Sequence, residues 1–295
     1  MMILHEFDYF TPEAVEEALA LLSSYENPAI LAGGTDLVVN LKEEIEVPEV
    51  VIDIKRLKEL GRIEFKNNNL FIGALVTFSE LIEAEHVNEK FPLIMETSKT
   101  VGSVGIRNRA TLVGNICSAV PSMDGGPLLS VYEAEVVVRS LKGERKIPIS
   151  NWFHAPRETA INKGEFVTHV SIPFPGKNYS GCFVKLGRYS GEDLAQASVA
   201  VVAFFDNTYR VAFGAVAPIP VRARRIEDLL NGKVLNDSLI EKAMNIIPEE
   251  ISPITDIRAS REYRMHMCKV MFERGIRAAV NRLKGEGPQY GTSVI

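Results

Sequence analysis

The chain has 295 residues, 46% of them hydrophobic and 24% charged, which is the balance of a globular protein with room for two domains. Its formal net charge of -5 argues against nucleic acid as the main partner, because phosphate binding relies on an excess of Lys and Arg. The three cysteines are widely spaced, which indicates free thiols in a reducing compartment, and they are too few to hold an iron–sulfur cluster without another chain.

The first lobe, residues 1–55, predicts a small α/β unit. Its N-terminus lacks the basic start and apolar run of a signal peptide, and no stretch of the chain is apolar enough to span a membrane, so we expect a cytoplasmic protein. An apolar segment at 28–32 predicts a strand that runs into Gly33, Gly34, Thr35 and Asp36 before a helix. Two glycines let the backbone approach a ligand, and a helix N-terminus offers N–H groups to an anion such as pyrophosphate. The alternative is an ordinary strand–turn–helix corner.

The second lobe, residues 56–176, contains a long stretch with several glycines. A hairpin is predicted around 67–69, and Thr77 to Glu80 match a capping box at a helix start. Segment 101–115 (VGSVGIRNRATLVGN) matches neither the dinucleotide-binding nor the phosphate-loop pattern. It indicates either a second clamp on a bound diphosphate or a loop with turn glycines. Asp124 lies in a turn before a predicted helix, where helix capping is the simpler role.

The C-terminal part, residues 177–285, predicts an α+β domain. A Pro/Gly cluster at 173–176 marks the boundary before it. Segments 182–186, 197–205 and 209–216 predict a three-stranded antiparallel sheet, and segments 222–230, 237–246 and 260–283 predict helices. Residues 286–295 are expected to form a flexible tail.

Side chains able to carry out catalysis by themselves are not evident. The sequence has no HExxH, no GxSxG and no Cys/His set with metal spacing, and its five histidines are scattered. The chain thus offers clamps for a ligand without a nucleophile or general base. A bound cofactor that does the chemistry fits this pattern.

Five motifs together resemble one family of flavoproteins. They are LAGGTD, GIRNRATLVGNICSAVPSMD, NWFH, AFGAVAPIPVRAR and RASREYRMHM, and the similarity runs from residue 3 to about 284. The family is that of the FAD-binding subunits of molybdenum hydroxylases, which includes the carbon monoxide dehydrogenase medium subunit. Through NIC, NWFH and the RAS-x-EYR segment, the chain is most similar to bacterial xanthine dehydrogenase FAD subunits.

The resemblance implies a fold and a set of FAD contacts. The fold is α+β, with two α/β FAD-binding subdomains of the PCMH type, about 1–55 and 56–176, followed by the C-terminal domain at 177–285. It implies no catalytic side chain and no metal ligand on this chain. For Lys185 the alternative is a solvated lysine at a strand end. The implied FAD contacts lie in three groups, namely the diphosphate loop (Ile30, Leu31, Ala32, Gly33, Gly34, Thr35, Asp36, Leu37), the opposite clamp (Thr111, Gly114, Asn115) and further contacts (Val101, Ser118, Asp124, Phe166, Val167, Lys185).

The resemblance also implies a role as an electron relay. A molybdenum cofactor on a large partner subunit would hydroxylate a substrate such as xanthine, and electrons would pass through [2Fe–2S] clusters on a small subunit to FAD on this chain and then to NAD+. A dimer of heterotrimers is expected. Alternatives are a related hydroxylase acting on nicotinate, CO or an aldehyde, and a scaffold subunit with weakened or lost FAD binding. The last arises because Val113 replaces a glycine of the family's T-x-G-G-N, where a branched side chain would crowd a phosphate.

Overall fold

The N-terminal subdomain is built on a small parallel sheet. In the computed structural model, which describes residues 3–189 and 193–295, its strand order is β1-β3-β2. Helix α1 forms because Val15, Ala18, Leu19 and Leu22 recur at helical spacing and are all buried. The elements in chain order are β1 (Asp8–Phe10), α1 (Val15–Ser24), β2 (Pro28–Leu31), α2 (Leu37–Lys42) and β3 (Val50–Asp53).

The second subdomain is a five-stranded antiparallel sheet with short helices packed on it. The strand order is β4-β5-β10-β6-β7. The predicted hairpin is confirmed, since Asn67 and Asn68 both take positive φ between the first two strands. Its elements are β4 (Ile63–Lys66), β5 (Asn69–Gly73), α3 (Phe78–Glu83), α4 (Glu85–Lys90), α5 (Pro92–Lys99), α6 (Val104–Arg107), α7 (Leu112–Ser118), α8 (Gly125–Tyr132), β6 (Glu135–Ser140), β7 (Gly143–Pro148), the small β8 (Phe153–Ala155) and β9 (Glu158–Thr159), and β10 (Phe166–Pro173).

The C-terminal domain has one strand more than predicted. Its antiparallel sheet runs β11-β12-β13-β14, so the prediction of three strands is wrong. The fourth strand has two residues and follows a proline-rich turn, which leaves too little periodicity for detection from sequence. The elements are β11 (Tyr179–Leu186), β12 (Ala197–Phe204), β13 (Tyr209–Gly214), β14 (Val221–Arg222), α9 (Arg224–Leu230), α10 (Asp237–Glu250) and α11 (Arg261–Leu283).

The C-terminal sheet is buried on both faces. Along β12, Val199 and Val201 pack with α9, α10 and α11, whereas Ala200 and Val202 belong to the same core as the second subdomain. Successive strand residues point to opposite faces, so one strand serves two cores. The sheet is therefore the middle layer that joins the two domains.

Residues 286–295, for which the sequence predicts a flexible tail, make specific contacts with the rest of the chain. The Tyr290 hydroxyl accepts a hydrogen bond from Gly181 N at 3.0 Å, and the Tyr290 ring lies 4.0 Å from the Arg282 guanidinium. The N–H of Gly291 donates to Glu96 at 2.8 Å. These contacts cover the outer edge of β11. Separately, none of the helices within the described ranges has the length and apolarity needed to cross a membrane.

Candidate functional site

The first predicted clamp is the turn between β2 and α2. Gly34 has a φ of +79°, which suits glycine and disfavours other residues. The four N–H groups of residues 33–36 donate to no acceptor within the described ranges. Buried or half-buried N–H groups need a partner, and water or a bound anion can supply one. The turn therefore leaves four consecutive N–H groups available to water or to a ligand.

The second predicted clamp touches the first at Gly33. A Cβ atom on Gly33 would lie 2.0 Å from the carbonyl oxygen of Arg109, so the two backbones meet without room for a side chain. The 101–109 part of this clamp is braced by Arg107, whose Nη1 donates to Val101 O at 3.0 Å and Gly102 O at 2.8 Å. Arg107 thus stabilises the loop, while Arg109 is exposed.

Helix α7 follows, with Thr111 as its N-cap. The Thr111 hydroxyl accepts from Gly114 N at 2.9 Å. Val113 lies inside the helix, takes no positive φ, and its side chain is 3% exposed in the main core. This buried position argues against the alternative in which Val113 crowds a phosphate, because the side chain points into the protein.

Helices α7 and α8 are fastened to one another at Asn115. Its Oδ1 accepts from Gly125 N at 2.9 Å, and a Cβ on Gly125 would lie 2.7 Å from that same oxygen. Ser118 donates back to Asn115 O at 3.0 Å. The single tryptophan, Trp152, donates its indole N–H to Ile116 O at 2.9 Å. Helix α7 is thus held by hydrogen bonds from both Gly125 and Trp152.

Asp124 and Lys185 form a buried ion pair between the two domains. Lys185 Nζ donates to Asp124 Oδ2 at 2.7 Å and to Thr100 O at 2.8 Å, and both side chains are less than a tenth exposed. Asp124 makes no capping hydrogen bond to α8, so the simpler role expected for it is not observed. Nor is Lys185 a solvated strand-end lysine.

The second carboxylate oxygen of Asp124 is not bonded to Lys185. Its Oδ1 is buried and has no hydrogen-bond partner within the described ranges. Burial raises the pKa of the Asp124 carboxyl, and the charge and hydrogen bond of Lys185 oppose that rise. A buried acceptor without a partner is costly, so this oxygen is suited to accept a donor from a bound ligand.

Phe166 and Val167 lie at the start of β10, where the ladder to β6 shifts register between Val167 and His169. They are 3% and 4% exposed and belong to the main core, against which α7 also packs. The structure thus places the apolar pair in the same core as the buried side chains of α7. Both side chains face protein over nearly all of their surface.

Two backbone carbonyl groups at the site could not be predicted from the sequence. The carbonyl of Thr100 binds Lys185, and the carbonyl of Arg109 meets Gly33, yet neither contact depends on the side chain. Cys117 on α7 is a free thiol. Its side chain is exposed at the surface of α7. Within the described ranges, no three His, Cys, Asp or Glu residues are grouped to hold a metal ion.

Two family models match the chain. Residues 5–175 match the FAD binding domain in molybdopterin dehydrogenase, and residues 182–279 match the CO dehydrogenase flavoprotein C-terminal domain. The first model alone covers more than half of the chain.

Curated relatives and solved structures extend over nearly the whole chain. The glyceraldehyde dehydrogenase medium chain of Sulfolobus acidocaldarius is 33% identical, over 90% of this chain and 95% of the relative. The xanthine dehydrogenase FAD-binding subunit of Escherichia coli O157:H7 is 28% identical, over 94% and 97%. A chain of carbon monoxide dehydrogenase from Hydrogenophaga pseudoflava superimposes with a TM-score of 0.91 at 31% identity, covering 95% of this chain and 99% of that chain.

Proposed function

Since the chain belongs to the family of FAD-binding subunits of molybdopterin dehydrogenases, we propose that it binds FAD between its two glycine-containing loops and relays electrons within an oxidoreductase complex. The observation that carries the proposal is the row of four N–H groups at 33–36 that have no acceptor among the described residues, held against the second loop at Gly33. Such a row of donors suits the diphosphate of a dinucleotide.

The residues that would hold the cofactor follow from the site. The backbone of residues 30–37 (Ile30, Leu31, Ala32, Gly33, Gly34, Thr35, Asp36 and Leu37) would bind the diphosphate on one side. Thr111, Gly114 and Asn115, at the start of α7, would bind it on the other side. The Oδ1 of Asp124, which has no partner in the described part of the chain, would accept a hydrogen bond from the flavin end. The ammonium group of Lys185 beside it would favour the ionised carboxylate. Val101, Ser118, Phe166 and Val167 complete the set that we assign to this pocket.

Bound FAD supplies the ability to take up electrons singly or in pairs and to release them as hydride. No side chain of this chain is assigned a catalytic step. Its residues would bind and position the ring system. Partner subunits would carry the molybdenum cofactor and the [2Fe–2S] clusters, NAD+ would be the acceptor, and a dimer of heterotrimers in the cytoplasm would be the working unit.

The substrate of the complex is the finer part of the proposal. The motifs NIC and NWFH support a xanthine dehydrogenase-type holoenzyme with a purine substrate. A second candidate is an aldehyde dehydrogenase of this family, which the higher identity to the glyceraldehyde dehydrogenase medium chain favours. Both share the same role for this chain, because the substrate would bind to another subunit.

Spectroscopy of the purified chain tests the FAD assignment. We expect bands at about 370 and 450 nm, as for any bound flavin, either as purified or after FAD is added. Absence of both bands after FAD addition would overturn the assignment and favour a scaffold subunit. In the isolated complex, NAD+ reduction with xanthine compared with glyceraldehyde separates the two substrate candidates.

A further inference from the structure

The segment after α11, residues 286–295, takes part in the contact between the two domains, and we call it the strap. Pro288 O accepts from Arg282 Nε at 2.8 Å, and Gln289 O accepts from Arg282 Nη2 at 3.2 Å. The Tyr290 ring lies 4.0 Å from the same guanidinium. Because the side chain of Arg282 is only 4% exposed, its charge depends in part on the acceptors that the strap supplies.

The strap also contacts one element from each domain. Gly291 N donates to Glu96 Oε2 at 2.8 Å, and Glu96 belongs to α5 of the second subdomain. The Tyr290 hydroxyl accepts from Gly181 N at 3.0 Å, and Gly181 belongs to β11 of the C-terminal domain. A Cβ on Gly181 would lie 2.9 Å from the side chain of Leu93 on α5. The strap therefore binds to helix and strand at the place where the two are in close contact.

Helix α5 and strand β11 are hydrogen-bonded to one another at two positions. At the first, Glu96 Oε1 accepts from Phe183 N at 2.7 Å, and at the second, Thr100 O accepts from Lys185 Nζ at 2.8 Å. Four residues of a helix rise about 6 Å and two residues of a strand about 7 Å, so the two positions are spaced alike on both elements. A shift of α5 against β11 at Glu96 would therefore also move the Thr100 carbonyl relative to Lys185.

The ammonium group of Lys185 is held by the Thr100 carbonyl together with Asp124 Oδ2, which accepts from it at 2.7 Å. A lysine side chain is a flexible stem with many rotamers, so the position of its charge is set by the acceptors that it finds. With the Thr100 carbonyl displaced, Lys185 would lose one of these two acceptors. The contact between α5 and β11 therefore determines where the buried ion pair lies.

We propose that the strap is a positioning segment of the flavin site and that it acts through Lys185. This inference rests on the proposed function, which places a flavin at Asp124 and Lys185. Tyr290 is the central residue of the strap, because it contacts Arg282 with its ring and Gly181 with its hydroxyl. By holding α5 on β11, the strap keeps the Thr100 carbonyl on the lysine, and the lysine orients the Asp124 carboxylate.

Chemical labelling of the full chain without FAD tests the positioning step. Tyr290→Ala removes the ring and the hydroxyl, and we expect acetic anhydride to modify Lys185 about tenfold faster, as measured by mass spectrometry, because the contact that buries it opens locally. The matched control is Tyr263→Ala, since Tyr263 is an exposed tyrosine on α11. In both variants the buried thiol of Cys268 should stay unlabelled by a maleimide, which shows that the chain remains folded.

FAD titration tests whether the strap acts through the ion pair. In the wild-type background, Tyr290→Ala is expected to weaken FAD binding about fivefold, as for residues coupled within one network. In a chain that carries Asp124→Leu with Lys185→Met, the pair is absent, and the same substitution is expected to change the affinity by less than about twofold. A strap with a merely structural role would weaken FAD binding by the same factor in both backgrounds.

Unchanged labelling of Lys185 in Tyr290→Ala overturns the proposal, and so does an equal loss of FAD affinity in the two backgrounds. If Cys268 becomes labelled in Tyr290→Ala, the same measurements are made on Tyr290→Phe, which removes only the hydroxyl and keeps the ring over Arg282. Faster labelling of Lys185 is the expected result there, and an unchanged rate refutes the strap. A wild-type chain that takes up no FAD refutes the proposed function instead, whereas a chain that binds FAD but shows unchanged Lys185 labelling refutes the strap alone.

Discussion

Asp124 and Lys185 lie 61 positions apart in the chain and end 2.7 Å from one another, with most of their surface removed from water. Replacing Lys185 by Met would leave the Asp124 carboxylate buried without its counter-charge, which costs about 3–5 kcal/mol for pairs of this kind. We expect a matching loss in the free energy of unfolding in urea and weaker FAD binding by titration. The lost binding follows because an isolated buried carboxyl takes up a proton and stops acting as a charged acceptor.

The double variant Asp124→Leu with Lys185→Met separates stability from binding. With both charges removed, most of the unfolding free energy should return, because buried ion pairs are often replaceable by apolar residues. FAD binding should stay weak, because the acceptor at Asp124 is gone. A double variant that is as unstable as Lys185→Met, or that binds FAD like wild type, would contradict this assignment.

Val113 allows a residue-scale test of the family pattern. Val113→Gly restores T-x-G-G-N, yet it removes a core side chain and places glycine in a helix, so we expect a loss of about 2–4 kcal/mol of stability. FAD affinity should not improve, since the side chain points away from the loops. Thermal unfolding and FAD titration measure the two effects. Tighter FAD binding by tenfold or more would show that Val113 does obstruct the cofactor.

At the scale of elements, the contact between the two loops depends on Gly33. Gly33→Ala would push its Cβ into the Arg109 carbonyl, which is backbone and cannot swing away. We expect the loops to separate and FAD affinity to fall by about tenfold or more, the cost of misplacing several hydrogen-bond donors at once. The control is Gly61→Ala, where a Cβ meets nothing within 4 Å and φ is not positive. Equal FAD affinity in the two variants would argue against the clamp.

Elements that are stabilised by interactions between residues close in sequence could be predicted. Elements that depend on pairing with a distant segment could not. The capping box of Thr77 and Glu80 is present as predicted, because both its hydrogen bonds form within one turn. Strand β14 was missed, because two residues at Val221–Arg222 become a strand only by pairing with β13. Arg222 itself donates to Ser130 O at 2.7 Å and pairs with Glu227, contacts that no local pattern predicts.

At the scale of the whole molecule, Glu96 and Arg282 fasten the two domains. Glu96 Oε2 accepts from Arg282 Nη2 at 2.7 Å, and Oε1 accepts from Phe183 N at 2.7 Å on the edge of β11. Both charged side chains are 4% exposed. Glu96→Ala would leave the charge of Arg282 buried without its partner. We expect the free energy of unfolding to fall by about 3–5 kcal/mol.

Urea unfolding followed by Trp152 fluorescence and by circular dichroism checks this expectation. Trp152 reports on the FAD-binding domain, and dichroism reports on the whole chain. Because one face of the C-terminal sheet belongs to the core of the FAD-binding domain, both probes should shift to lower urea together in Glu96→Ala. Two separate transitions would show that the domains unfold independently and that Glu96 does not couple them.

The sequence by itself determined the α+β class and the glycine loops, because helical spacing, strand periodicity and turn glycines are local properties of the chain. It also determined the family, through motifs that extend over most of its length. Only the tertiary structure decided where Val113 points, that Asp124 meets Lys185, and that Gly33 touches Arg109. These depend on contacts between segments far apart in sequence, and the geometry of such contacts is set by how the layers pack.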